Sequence, residues 1–254
     1  MDNVCKTLKH VDLYLRHDLQ QIEERPLPEG YSFRFYQPGD EINCLEIESS
    51  AREFLCPEDG QYAWKQYFGG KEEELKSRML FIVAPDGQPV ATATAYYDRI
   101  DEKAGWVHWV SVRREYQGKG LSKPLILKTL SLLKEMGYPY ACLHTQTSTW
   151  LAVKIYLDCG FMPWRGEEEG WRIARTLTKH EKLKDYAVMD EEDMHNPAMV
   201  DLEAQLKARY PEMEDFCIRR REVIKVGVRL KHNTVYHLLT PDENGLYRLG
   251  EIIS

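Results

Sequence analysis

The chain has 254 residues, 43% of them hydrophobic and 30% charged, with a formal net charge of −7. That length and balance suit one large globular domain, or one domain with attachments. The acidic excess argues against nucleic acid as a partner, and no apolar run is long enough to span a bilayer. The six cysteines (Cys5, Cys44, Cys56, Cys142, Cys159, Cys217) show no CxxC spacing and no disulfide rhythm. Residues 1–6 lack the apolar stretch of an export signal, so free thiols in a reducing cytoplasm are expected, with no metal site.

Taken in chain order, Val4, Leu8, Val11 and Leu15 recur at helical steps and predict a short amphipathic helix within residues 1–30, closed by Pro26 and Pro28. Residues 33–36 read as a strand. Pro38, Gly39 and Asp40 form a turn, with Asp40 as the N-cap of a helix over roughly 41–54. A helix-rich stretch follows to residue 76. Residues 79–84 and 90–96 are β-rich runs joined by Pro85, Asp86 and Gly87, a hairpin signal. A strand over 106–112 leads into a glycine turn, then a helix over 121–136 and a strand over 140–145. In the next helix Ala152, Ile155, Tyr156 and Cys159 share one face, and Gly160 is a stop signal. The tail opens with charged sequence, including Asp190 to Asp193. It then predicts a helix over 198–210, strands over 223–230 and 235–240, and a turn over 241–245. The expected organisation is an N-terminal helical extension (1–30), a central α/β domain (31–176) and an α+β tail (177–254). The tail is too small to stand alone; a lid, an extra sheet edge and a homodimer contact are the roles open to it.

The densest chemical information lies in residues 112–122. Gly118 and Gly120 let bare backbone approach a ligand, and the helix start behind them offers unpaired N–H groups and a partial positive charge. Arg113, Arg114, Lys119 and Lys123 against Glu115 give this stretch four basic residues and one acidic, a local +3 in an anionic chain. A phosphate ligand is the natural reading. A P-loop fails because Lys119 sits between the glycines, and a dinucleotide fingerprint fails because Lys123 occupies its third glycine.

Gln117, Gly120 and Ser122 follow the Gln/Arg-x-x-Gly-x-Gly/Ala pattern, with Ser122 in place of the usual small residue. Downstream, Ala152, Tyr156, Gly160 and Phe161 match an Asn-x-x-Ala-x-x-x-Tyr-x-x-x-Gly-Phe pattern, with Thr149 in place of Asn. Over roughly residues 31–176 these two motifs and the element order resemble the GNAT-type N-acetyltransferases. The resemblance implies a mixed, partly splayed sheet with helices on both faces. It implies acetyl-CoA as cosubstrate, its pyrophosphate on the amides of Gln117, Gly118, Lys119, Gly120, Leu121 and Ser122, and its pantetheine arm along the backbone of Val110, Ser111 and Val112. Thr149 has two roles open to it, contact with the arm or the cap of the helix it starts. Tyr156 would be the general acid, because a phenol with a pKa near ~10 can protonate a leaving thiolate. Many relatives carry a Glu base early on the fourth strand, and here that position is Trp106. His108, on the same strand face, is the expected base; its ordinary pKa near ~6.5 suits the task. His144 and Glu115 are weaker candidates. Trp106, Trp109, Trp150, Tyr62, Trp64 and Tyr67 are candidates for an acceptor pocket. The expected activity is acetyl transfer to a primary amine of a small molecule. A CoA-binding sensor without turnover and a protein lysine or N-terminal acetyltransferase are the alternatives.

Overall fold

A computed structural model of the chain describes residues 4–97, 101, 103–220 and 223–253. Among these residues the larger of two sheets is built from β1 (Asp12–His17), β2 (Ser32–Phe35), β3 (Met79–Val83), β4 (Pro89–Tyr97), β5 (Ala104–Val112), β6 (Tyr140–Gln146) and β7 (Met162–Gly166). The strands lie in the order β2-β3-β4-β5-β6-β1-β7. β5 and β6 are parallel; the other neighbours are antiparallel. Helices α1 (Glu41–Ser50), α2 (Pro57–Tyr67) and α3 (Glu72–Arg78) cover one face. Helices α4 (Ser122–Glu135), α5 (Trp150–Asp158) and α6 (Glu168–Thr178) cover the other.

The period-two pattern of the central strands divides the core in two. Leu80 and Ile82 of β3 point to the α4 side, while Met79 and Phe81 point to the α1–α3 side. On β4, Ala91, Ala93 and Ala95 present only methyl groups to the α4 side, which lets α4 lay Leu125, Ile126 and Leu130 close against the sheet. The mixed α/β layering matches the architecture expected from sequence.

The N-terminal segment departs from expectation: residues 12–17 are a strand, not part of a helix. Val11, Leu13, Leu15 and His17 are buried while Asp12 and Arg16 are exposed, a period of two. The helical steps of Val4, Leu8, Val11 and Leu15 coexist with this alternation, and Leu13 completes it. β1 inserts between β6 and β7 and pairs with both, burying Leu13 and Leu15 completely. A boundary at residue 30 therefore cuts through the sheet. Residues 1–3 of the expected helix lie outside the described residues. Asp40 also departs from its expected role. It occupies the position before α1, but its carboxylate accepts hydrogen bonds from Arg34 Nη2 (2.8 Å), the Gln37 N–H (2.6 Å) and Asn43 Nδ2 (2.8 Å) rather than from the helix's first amides. α1 stops at Ser50, leaving residues 51–56 as a loop.

The tail contains α7 (Glu191–Met194), α8 (Pro197–Arg209), β8 (Asp215–Arg220), β9 (Ile224–Arg229), β10 (Thr234–Pro241) and β11 (Tyr247–Ile253). Its four strands form an antiparallel sheet in the order β11-β10-β9-β8. α8 lays Leu202 and Leu206 on that sheet against Phe216, Val226 and Val228, a small core of its own. No described helix is long and apolar enough to cross a membrane.

Leu15→Ala should lower unfolding free energy by about 2–5 kcal/mol in urea titration, the cost of a cavity at a fully buried leucine. A loss under about 0.5 kcal/mol, the range of a surface substitution, would mean that β1 is not an interior strand.

Candidate active site

The site begins where a ladder stops. β5 pairs with β6 only at Ala104↔Tyr140, Gly105↔Ala141 and Trp106↔Cys142. Beyond Trp106 the two strands part. β5 stays on β4, but its register slips: Thr94 faces His108 while Thr92 faces Ser111, so β5 carries one extra residue. Trp109 absorbs it with φ +48°, a left-handed conformation uncommon for an aromatic residue. After this bulge, Trp109 packs with the α1–α3 cluster, whereas Val110 and Val112 pack with the α4–α5 cluster.

One cavity of about 410 Å³ opens in the wedge. Val110, Ser111 and Val112 form one wall, Gln117, Gly118, Gly120 and Ser122 the end, and Thr149, Ile155 and Tyr156 the opposite wall. The structure thus gathers these sequence-selected positions around one space. Lys119 and Leu121 are not among its lining side chains: Lys119 Nζ sits 4.2 Å from the centre of the Tyr116 ring, and Leu121 is buried. Gly118 and Gly120 have φ of +77° and +79°, which glycine adopts without strain. No side chain caps α4 and its first turn carries no acid, so its leading amides suit an anion. The local positive charge is more dispersed than the sequence suggests. Arg113 turns away to Glu46 (2.7 Å), and Lys123 pairs with Asp158 at 3.0 Å. Arg25, which no motif singled out, lines the same cavity from the N-terminal segment. Thr149 does not cap α5 with its side chain. Its hydroxyl donates to the Gln146 carbonyl (3.0 Å), lies 3.0 Å from Thr145 Oγ1, and lines the wedge.

A second cavity of about 500 Å³ lies on the α1–α3 side. Trp106, Trp109 and Tyr67 line it. Of the other aromatic candidates, Trp64 is core, Tyr62 is exposed, and Trp150 packs on Leu8, Ile173 and Met194. His108 lines this cavity too, its ring centre 5.3 Å from Tyr96 and 4.7 Å from Tyr67. His144 lies at its exposed side with Nε2 3.0 Å from Asp12 Oδ1. Glu115 is elsewhere, where its carboxylate accepts from Ser50 Oγ.

The cavities meet. Glu53, Val110, Thr149, Ala152 and Tyr156 line both. Tyr156 is buried, and burial followed by the charges of Glu53 and Glu48 pushes its hydroxyl well above the ordinary phenol value, so it stays protonated. Glu53 is an exposed residue of the loop that also lines both cavities, and desolvation there raises its carboxyl. Glu48 is buried; desolvation, then the neighbouring Glu53, push its carboxyl up to about 8. Its Oε2 accepts from Ser111 Oγ at 2.6 Å, while Oε1 has no hydrogen-bond partner. Sequence reasoning missed both acids. Glu48 left one signal: it stands three and four residues after Leu45 and Cys44, on the buried face of α1. Glu53 left none, because the loop that carries it is shaped by distant residues.

That loop is held by the C-terminal sheet. Arg229 Nη1 donates to the carbonyls of Ser49 (2.9 Å) and Leu55 (3.0 Å), bracketing it. Arg52, at φ +74°, donates from Nη2 to Asp215 Oδ1 at 2.6 Å, and Lys6 Nζ reaches the same carboxylate at 3.2 Å. Gly227 lies so close to the loop that an added Cβ would stand 2.4 Å from Leu55 Cδ1. The tail is thus part of the architecture that sets Glu53 at the junction of the cavities and Phe54 in the wall of the aromatic one.

Residues 41–161 match the Acetyltransferase (GNAT) family, a span that holds the bulged strand, the glycine turn and α5. Over that span, a little under half of its length, the chain is similar to the GNAT acetyltransferases. It resembles a mycothiol acetyltransferase of Actinosynnema mirum, at 30% identity over 155 residues, covering 60% of this chain and 52% of that protein. A mycothiol acetyltransferase of Pseudarthrobacter chlorophenolicus is 29% identical over 148 residues, covering 56% of this chain and 46% of that one. The chain spans about half the length of the curated relatives it matches. The crystal structure of a GCN5-related N-acetyltransferase from Sphaerobacter thermophilus shares the fold, with a TM-score of 0.52 at 22% identity over 63% of this chain and 50% of that chain.

Two outcomes are expected from this geometry. Gly120→Val should weaken binding of coenzyme A by about tenfold or more in calorimetry, because a β-branched residue resists φ near +79°. Unaltered affinity would place the pyrophosphate elsewhere. Asp215→Ala should cost about 3–5 kcal/mol in urea unfolding, since it strips a buried carboxylate from Lys6 and Arg52. A loss under about 1 kcal/mol, the range of an exposed ion pair, would show that the network does not hold the loop.

Proposed function

We propose that the protein transfers the acetyl group of acetyl-CoA to a primary amine of a small molecule, by direct attack in a ternary complex. The observation that carries this reading is the junction of two cavities at Tyr156 and Glu53. One cavity has the amides and open wedge that suit a diphosphate and a pantetheine arm. The other, walled by aromatic residues, reaches the same junction.

The loop amides and Arg25 would hold the diphosphate, and the free side of β5 beyond Trp106 would take the arm as a missing strand. Backbone N–H groups of the parted strand, aimed at the thioester carbonyl, would stabilise the developing oxyanion. The amine nitrogen, bound from the aromatic side, attacks the carbonyl carbon. The new C–N bond forms as the C–S bond breaks. Glu53 takes a first proton from the bound ammonium, which frees the lone pair for this attack; Tyr156 gives its proton to the departing sulfur, and the second proton shed by nitrogen restores the phenol. Glu53 is chosen as the base because it faces both cavities. His108, the base expected from sequence, lines only the aromatic one and stacks among its rings, which suits a shaping role. Glu48, pushed up to about 8, shares charge with Glu53 and keeps the pair from ionising twice at neutral pH. A cationic amine between them offsets that repulsion. A sensor without turnover would have no use for a protonated phenol and a raised carboxyl at the same junction.

Purified protein mixed with acetyl-CoA and a panel of amines should release free thiol in proportion to acetylated product. Tyr156→Phe should lower kcat by about 10²-fold with acetyl-CoA affinity unchanged, the range for one general acid. Full turnover in that variant removes the residue from the mechanism. The Glu53 carboxyl must ionise to accept a proton, and its pKa is raised, so kcat/KM should climb as pH rises through that raised value. Glu53→Gln should abolish the climb, while His108→Ala should keep it. The reverse pattern would return the base to His108.

A further inference from the structure

The aromatic cavity constrains the acceptor more narrowly than the family does. Among the described residues, no lysine or arginine lines it; its charged groups are the carboxylates Glu48 and Glu53, both near the junction with Tyr156. Lys71 does not line the space and gives its ammonium to the Tyr96 hydroxyl. An amine can therefore be held at the inner end by the one negative charge the carboxyl pair carries, whereas a carboxylate or phosphate on the acceptor would meet that like charge and, among the described lining residues, no lysine or arginine. Asp12, on the neighbouring strand, is already engaged by His144 at 3.0 Å and His10 at 3.5 Å, so a second ammonium far from the first finds no ready partner.

The walls between these ends are ring faces. Tyr67 and Trp109 stand edge-to-face with centres 6.2 Å apart, and Trp106 and Tyr14 do the same at 6.4 Å. Trp109 is further fixed by Phe68 at 5.0 Å and Phe54 at 5.6 Å. Rings locked this way by the bulge in β5 offer set faces to a flat guest, at little entropic cost on binding. A volume of about 500 Å³ admits a bicyclic ring on a two-carbon arm.

We propose that the acceptor is an arylalkylamine: one primary ammonium on a short chain, a flat aromatic ring, and no anionic group. The proposal rests on the acetyl-transfer reading above. The ring lies among Tyr67, Trp106 and Trp109, the ammonium points to Glu53, and the acetyl carbon waits on the far side of the junction.

The test compares kcat/KM, by thiol release, for tryptamine, phenethylamine, n-butylamine, tryptophan, spermidine and glucosamine. Tryptamine and phenethylamine should exceed n-butylamine by about tenfold or more, the value of one stacked ring pair. Tryptamine should exceed tryptophan by about a hundredfold, the cost of one unpaired like charge. Tyr67→Leu should cut the tryptamine-to-butylamine ratio by about tenfold. Glucosamine, spermidine or tryptophan as the best substrate, or butylamine equal to tryptamine, would overturn the proposal while leaving acetyl transfer standing. Binding is read separately by tryptamine titration against intrinsic tryptophan fluorescence. Saturable binding weakened in Tyr67→Leu, with no thiol released from any amine, supports the pocket assignment and sinks the acetyl-transfer reading. Neither binding nor turnover with arylalkylamines overturns the assignment outright.

Discussion

The early end of one β-ladder governs the rest of the molecule. After three paired positions β5 and β6 separate, and the bulge at Trp109 turns β5 so that its residues face two different sides. Parting two strands in the middle of a sheet exposes backbone groups that must find partners, and a bound chain is the natural one. The same separation creates the passage through which both cavities reach Tyr156. The sheet bears this gap because β5 stays paired with β4 on both sides of the bulge, and β6 keeps its ladder with β1.

Much of the site is supported from outside the segment that matches the family. β1 closes the sheet beyond β6 and carries Tyr14 and Asp12 to the edge of the aromatic cavity. Arg25 lines the wedge from the N-terminal segment. The C-terminal sheet holds the loop of Glu53 by Arg229 and by the Asp215 carboxylate. Two raised carboxyls beside a buried phenol are costly to fold around. The ion network on the other side of that loop, where Lys6 and Arg52 share one carboxylate, fixes the backbone that keeps them together.

The elements legible in the sequence were those written in local signals. The glycine turn, the helix behind it and the Tyr156 face of α5 each depend on residues within a few positions, and all stand where the sequence placed them. The N-terminal strand was misread because its apolar spacing satisfies two periods at once, and only the partners at β6 and β7 select one. The cluster of positive charge is partly neutralised, because Arg113 and Lys123 find acids remote in sequence, Glu46 and Asp158, although Lys123 still lines the wedge.

The sequence by itself determined the central elements from β2 to α5, the glycine turn and the likeness to the GNAT acetyltransferases, because turn chemistry and side-chain periodicity act over a few residues. Only the tertiary structure decided which acids stand beside Tyr156, which aromatic residues face a cavity rather than the core, and what the C-terminal sheet is for. Those depend on burial and on contacts between residues tens to hundreds of positions apart. A carboxylate in a sequence carries no mark of whether water will surround it, and desolvation is what sets Glu48 and Glu53 apart from the other acids of the chain by raising their carboxyls.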